Sequence, residues 1–583
     1  MSELDLLIRG AEVIDGTGRP AVRADVGVRG GRVEFVREGG AGGGKSDAAR
    51  EVLDADGLVV SPGFIDPHTH YDAQLLWDGS ASPSNLHGVT TVIGGNCGFT
   101  IAPIGAQDGD YIRRMMAVVE GMPLEALEKG LDWAWRGFGD WLDRFEGNMA
   151  VNAGFLVGHC ALRRTVMGER SVGHAASPAE VEQMKTLLRA SLSAGGLGLS
   201  TTRSFTHSDG NGQPVPSRFA SEEELLDLCR VAGSFEGTAL EFITDGCLRG
   251  FNDDEMDLMA RMSLTADRPV NWNVFTIDSK EKDRYANQLL ASTRAAEKGA
   301  RVVALTMPTL VGMTMSFLTY SPIHQLPGWK AILALPLPER MAELRKPEVR
   351  AKMLAGSKSP EAGVFARVAD FANFKIGQTF SSANRGLTGR FVKDIAKERG
   401  KADFDTLVDI VLADELRTVL WPAPPDGDEE SWKMRKAAWE SPHCLLGGSD
   451  AGAHLDRMCG APYTTDFIAD CLRGKKLWPV EKAIQALSDA PARLFGLRDR
   501  GRVAAGMHAD LVVFDPKTVG SSEIHERSDL PGGTSRLYAE STGVVRVYVS
   551  GQAIVRDGKA TDARPGRIVR SGRDTETVTL ARR

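Results

Sequence analysis

At 583 residues the chain is too long for one ordinary domain, although a large barrel with an accessory module would fit. Hydrophobic residues at 42% and charged residues at 25% are the proportions of a soluble globular protein, and a net charge of -7 with no dense Lys/Arg tract argues against nucleic acid as a partner. No run of about 18 apolar residues could span a membrane, and the opening MSELDLLIRG lacks the basic start and long apolar core of a signal peptide.

In chain order, residues 1–60 (DLLIRGAEVIDG, ADVGVRGGRVEFV) read as short strands with glycine turns, and EGGAGGGKS at 38–46 as a flexible turn. From residue 61 onward, β-rich runs alternate with helical patterns. The strand candidates are Gly63–His70, Thr90–Cys97, Asn152–His159, Gly196–Thr201, Thr238–Thr244, Pro269–Phe275, Ala300–Met307 and Cys444–Asp450. Between them, Ser177-Pro178-Ala179-Glu180 and Ser221-Glu222-Glu223-Glu224 read as capping boxes opening helices. Strands alternating with helices imply a parallel sheet, and eight such units close into a (β/α)8 TIM-like barrel. Residues 308–443 form a long, largely helical insertion before the eighth strand, read as a lid or cover. Residues 500–570 return to short strands (GRVAAGMHADLVVFD, VVRVYVSGQAIVRDG). The expected architecture is therefore α/β, with a barrel over 61–499 and a small β-sandwich built from both termini, 1–60 plus 500–583.

Seven cysteines, an odd number with no C-x-x-C, argue against a disulfide framework or a zinc ribbon and suit a reducing cytoplasm. The stretch SPGFIDPHTHYD at 61–72 is more telling. If the strand continues through the histidines, His68 and His70 place two imidazoles on one face, and imidazole is the commonest protein metal ligand. An isolated H-x-H is more often a surface or core pair. Here, however, Cys97 ends the second strand, His159 the third and Asp450 the eighth, while Glu241 lies on the fifth and Asn273 on the sixth. Ligand-type residues thus gather at the strand ends, where barrels of this kind carry their active sites.

The segments PGFIDPHTHYD, GNCGFTIAP, GHCALR, GLGLST, GGSDAGAH and DAPARLFGLRDRGRVAAGMHADLVVFD together resemble the metal-dependent amidohydrolase superfamily, and within it the N-acyl-D-amino-acid deacylase (D-aminoacylase) branch. The resemblance covers nearly the whole chain. It implies that His68 and His70 are paired metal ligands, that Cys97 ligates or bridges zinc, and that Asp450 touches the metal and serves as catalytic base. His159 and Arg163 fall where that branch shapes its site, and Arg457, in DRMCG, where it binds the substrate carboxylate. His207, in the polar loop 203–218 after the fourth strand, is read as a further substrate contact, with a plain loop histidine as the alternative.

Two features depart from the branch. Its strand-five and strand-six histidine ligands correspond here to Glu241 and Asn273; glutamate can ligate zinc, but asparagine is a poor zinc ligand. No lysine lies between Lys185 and Lys280, so a carboxylated lysine is not available from strand four. The expectation is one zinc held by His68, His70 and Asp450 with Cys97 and Glu241 near, and a second zinc left open. The function expected is zinc-dependent hydrolysis of a non-peptide amide C–N bond in a small molecule, N-acyl-D-amino acids being the leading substrates, by a cytoplasmic protein that could form a homo-oligomer. The alternatives are a cyclic-amide or N-substituted-amide hydrolase on the same scaffold, and a non-catalytic relative that kept the barrel for binding.

Overall fold

The computed structural model describes residues 3–39, 48–319 and 321–580; the turn expected at 38–46 lies, from residue 40 on, outside them. Two compact units are present: Leu310–Trp432 with Asp456–Met458 forms one, and the remaining described residues form the other. Among the described residues no helix is long and apolar enough to cross a membrane.

In the larger unit eight short strands follow the expected alternation. They are β1 (Phe64–Asp66), β2 (Val89–Gly94), β3 (Asn152–Phe155, running on through Val157–Gly158), β4 (Gly198–Thr202), β5 (Ala239–Ile243), β6 (Val270–Trp272), β7 (Val302–Thr306) and β8 (Cys444–Leu446). β1, β2 and the first part of β3 pair in parallel. The second part of β3 opens a six-stranded parallel sheet that runs through β4, β5, β6 and β7 to β8. β5 is buried along its whole length, as parallel strands covered on both faces are.

The strand expected over Gly63–His70 ends at Asp66. Pro67 has no N–H to donate to a ladder. Pairing resumes two residues later, where Thr69 N donates to the Ile93 carbonyl at 2.9 Å and Thr69 forms a parallel bridge with Ala451. His68 and His70 flank this anchor, so the same-face relation expected of i and i+2 survives although the strand does not. The third expected strand also stops early, because His159 is already the first residue of a helix, His159–Met167.

The two capping boxes part ways. At Ser177 the box is complete: Glu180 N donates to Ser177 Oγ at 3.3 Å, and Glu180 Oε2 accepts from Ser177 N at 2.7 Å. At Ser221 the hydroxyl accepts from Glu224 N at 3.1 Å, but the Glu224 carboxylate turns inward to His159 and Arg163 instead of returning to the cap.

The termini share one nine-stranded sheet. Its junction is the antiparallel pairing of Val59–Pro62 with Leu511–Phe514, in register Leu511 to Pro62. Leu6, Ile8, Val26, Val60, Leu511 and Val513 are buried together in its interior. The smaller unit has its own apolar core, in which Trp329 stacks on Phe371 at 5.5 Å and donates Nε1–H to the Met353 carbonyl at 2.8 Å.

Gly95, which turns the chain out of β2 toward Cys97, has φ +73°, and a Cβ there would lie 2.2 Å from the Leu156 carbonyl oxygen. Gly57 has a similar φ of +76° with nothing within 4 Å. Gly95→Ala is therefore expected to lose about 1–3 kcal/mol more stability than Gly57→Ala, measured by denaturant or thermal unfolding. Equal losses would show that the turn tolerates a side chain.

Candidate active site

The segments that follow β1, β2 and β8 converge. Asp450 N donates to the His68 carbonyl at 3.2 Å, His70 N to the Ala451 carbonyl at 2.7 Å, and Ser449 N to Asp66 Oδ1 at 3.2 Å, which stitches the β1 and β8 exits together. After β2, Asn96 Nδ2 donates to the Thr69 and Ile93 carbonyls at 3.1 and 3.0 Å, Gly95 N donates to Asp72 Oδ2 at 3.2 Å, and Gly98 N to Ser200 Oγ at 3.0 Å. Cys97, Asp450 and His454 adopt positive φ values of 55°, 58° and 51°. Backbone in this region is sparsely populated by non-glycine residues and persists where surrounding bonds over-determine it.

These segments build a buried cluster. The His68 and His70 rings sit 5.2 Å apart, inclined at 74°. His70 Nε2 lies 3.1 Å from Asp450 Oδ1 and 3.5 Å from Glu120 Oε2. His68 Nε2 lies 3.5 Å from Asp450 Oδ1 and 3.8 Å from Cys97 Sγ. Glu241, reaching in from β5, accepts from Cys97 N at 2.9 Å and stands 4.0 Å from its thiol, while Asn273 Nδ2 lies 3.6 Å from the same sulfur. His454 Nε2 approaches Asp450 Oδ2 at 3.5 Å. Two ligand-type triads result, His68–His70–Cys97 and His70–Glu120–Asp450, each with its donor atoms within 4.8 Å of one another.

Burial dominates the electrostatics. It pushes the Glu241 carboxyl up to about 7, and lifts the Cys97 thiol well above its ordinary range, helped by the nearby charges of Glu241, Glu120 and Asp450. Glu120 is also held well above the carboxylate range, by burial first and then by Asp450, Asp72 and Glu241. Burial acts the same way on Asp450, but the bonds from His68 and His70 and the charges of His70 and His454 hold it well below its ordinary range. Acids that crowd one buried space and raise one another require protons or a cation. Among the described residues the Nδ1 atoms of His68 and His70 have no hydrogen-bond partner, and both Nε2 atoms face the acids. Imidazole, thiol and carboxylate donors converging in one buried space fit a divalent transition metal.

The other nominated residues fall elsewhere. His159 is fully buried; its Nδ1 meets Thr201 Oγ1 at 2.9 Å and its Nε2 donates to Glu224 Oε1 at 2.9 Å. Arg163 Nη1 grips both oxygens of Glu224 at 2.6 Å. Both ring nitrogens of His159 are thus occupied, and the trio braces β4 against the helix Glu222–Gly233. His207 is partly buried, with Nδ1 on Thr202 Oγ1 at 2.8 Å and its ring 5.1 Å from Phe99. Burial, then the charges of His70 and His454, push its pKa down to about 3, so it is neutral and within electrostatic reach of the cluster. Arg457 belongs to the smaller unit, where its Nε donates to Asp456 Oδ1 at 2.9 Å.

Glu120 is the member that sequence reasoning missed. It caps the C-terminal end of the helix Gly109–Val119, where the helix dipole disfavours a carboxylate. An acid ending that apolar stretch, MMAVVEGMP, was the available signal.

A model of the Amidohydrolase family matches residues 51–555. D-aminoacylase from Alcaligenes xylosoxydans xylosoxydans is 28% identical over 574 residues, covering 97% of each chain. A solved structure of D-aminoacylase, studied for its binuclear metal centre, aligns with a TM-score of 0.61 at 26% identity, over 97% of this chain and 99% of its own. N-acyl-D-glutamate deacylase from Bordetella bronchiseptica, complexed with zinc and a phosphonate inhibitor, aligns with a TM-score of 0.63 at 24% identity, over 98% and 100%. A full-length match that joins this strand order to histidine, cysteine and aspartate at the ends of β1, β2 and β8 leads to one assignment: the chain belongs to the amidohydrolase family, in its D-aminoacylase-like branch.

Proposed function

We propose that this chain is a metal-dependent hydrolase that deacylates N-acyl-D-amino acids, with His68, His70, Cys97, Asp450 and Glu241 at the metal and Asp450 as proton carrier. The observation that carries the reading is the convergence of His68, His70 and Asp450, at 3.1–3.5 Å, beside Cys97 in one buried cluster. The mixture of imidazole, thiolate and carboxylate donors favours zinc over a hard cation such as magnesium. When bound, such an ion supplies Lewis acidity that polarises the scissile carbonyl and makes water easier to deprotonate near neutral pH.

The remaining chemistry belongs to the chain. Asp450 is set between His68, His70 and His454, at 3.1–3.5 Å from their Nε2 atoms, which places its carboxylate to accept the proton of the attacking water. An amide nitrogen leaves poorly unless protonated, so the same carboxyl then delivers that proton to the departing amine. The positive φ of Asp450 fixes the direction from which it does so. The neutral His207 is the proposed substrate contact in the larger unit, and the His159–Arg163–Glu224 trio acts by holding β4 in place.

The pairing of each strand with its neighbour, together with the Thr69–Ala451 bridge, supports closure of the eight strands into a (β/α)8 barrel over 61–499 with the insertion 308–443. The single interior of the terminal sheet supports a small sandwich from 1–60 plus 500–583. Seven cysteines without a disulfide support a cytoplasmic setting.

Asparagine tolerates the left-handed backbone of Asp450 as well as aspartate does, so Asp450→Asn should fold, keep part of its metal and lose about 10²–10⁴-fold in kcat/KM. The check is rate per bound metal on a panel of N-acyl-D-, N-acyl-L- and cyclic amides. A variant that melts early yet turns over at near wild-type rate would remove Asp450 from the mechanism, and a panel hydrolysed only at cyclic amides would replace the deacylase reading. His68→Ala and His70→Ala should each lose metal on elemental analysis, while His508→Ala, in the segment that pairs with Arg32 of the terminal sheet, should retain it. Equal metal content in all three would refute the ligand assignment.

A further inference from the structure

We propose that Glu120 is a metal ligand of this chain, supplying from the C-terminal end of the helix Gly109–Val119 a donor to the ion held by His70 and Asp450. The proposal rests on the metal-dependent reading above and adds a residue to it.

Four observations support the assignment. First, the separations fit: donor atoms each about 2.1 Å from one ion at tetrahedral angles stand about 3.4 Å apart, and Glu120 Oε2 lies 3.5 Å from His70 Nε2, which is itself 3.1 Å from Asp450 Oδ1. Second, Glu120 is buried; its carboxylate faces His70 Nε2 at 3.5 Å, and the charges that act on it are those of the acids Asp450, Asp72 and Glu241. A buried carboxylate left among other carboxylates is costly unless a cation joins it. Third, its place at a helix C-terminus adds the negative end of the dipole to that cost, so neither the helix nor the fold explains the residue. Fourth, its position is tied to the proton carrier, because the Glu120 carbonyl accepts from His454 N, in the segment that carries Asp450.

The donor count points the same way. On β6, Asn273 directs its amide nitrogen toward Cys97 Sγ and offers neither imidazole nor carboxylate. On β5, Glu241 is bound to Cys97 N at 2.9 Å. His70 belongs to both ligand triads, but its Nε2 has one lone pair and can serve only one ion. With Glu120 included, an ion at His70 and Asp450 has three protein donors within 4.8 Å of one another, the number a catalytic zinc site uses, whereas His68 groups with Cys97 on the other side of His70.

The test compares wild type with Glu120→Gln and Glu120→Asp. Each is stripped of metal, and its zinc affinity is measured by competition with a chromophoric chelator. Cobalt(II) is then loaded and its visible spectrum recorded, so that neither readout depends on turnover. Glu120→Gln should bind zinc at least about 10-fold more weakly and give an altered cobalt spectrum, while its metal-free form melts no lower than metal-free wild type, because a buried charge has been removed. Glu120→Asp should recover part of the affinity. Zinc affinity within twofold of wild type with an unchanged cobalt spectrum would overturn the proposal. So would a metal-free Glu120→Gln protein that melts far below wild type while its affinity per folded molecule is unchanged, since that is the signature of a structural glutamate. Failure of wild type to bind zinc would overturn both this proposal and the metal-dependent reading. Glu120-dependent zinc binding without cleavage of any N-acyl-D-amino acid would leave the ligand standing and remove only the deacylase.

Discussion

The structure turns on one constraint: Asp450, Glu120, Glu241 and the Cys97 thiol share a buried space with two imidazoles and too little positive charge. Left alone, such a cluster would spread apart or take up protons, because burying a charge costs several kcal/mol unless it is matched. Its members come from β5, from the exits of β1, β2 and β8, and from a helix end, and each position is separately anchored. The arrangement suits a cation as the partner of these acids, and the proposed chemistry follows from that charge.

Around the cluster, hydrogen bonds between side chains and backbone groups tie the strand exits together. Asn96 and Thr69 lock the β1 and β2 exits together, and Asp66 ties β1 to Ser449 beside β8. Cys97, Asp450 and His454 are held in left-handed backbone, a conformation worth its strain only where it aims a side chain. The braces extend outward to the trio of His159, Arg163 and Glu224, where a buried carboxylate is matched by Arg163, whose Nη1 donates to both its oxygens. That matched acid and the unmatched acids of the cluster show the same chemistry put to opposite uses.

Much of this was legible in the sequence because it is local. Strand–helix alternation, the cap at Ser177 and the H-x-H spacing are set by neighbours within a few residues, and all eight expected strands are present, with β2 beginning one residue before its expected range and β4 ending one residue after it. What escaped was non-local. The second capping box failed because Glu224 has a better partner in Arg163, 61 residues away. The strand reading of His68 and His70 failed at Pro67, yet the rings still share a face because Thr69 is held from both sides. Glu120 was invisible to strand-end reasoning, since it arrives from a helix terminus. His159 looked like a site residue by position, but a fully occupied ring is a matter of three-dimensional partners.

The most direct test of the central claim is the metal content and metal-linked stability of protein purified without chelators. The account predicts at least one divalent transition-metal ion per chain, and a melting temperature that falls when the ion is removed and returns when zinc is added, because a ligand that binds only the folded state stabilises it. A folded, metal-free protein whose melting temperature does not respond to zinc or any other divalent ion would contradict it.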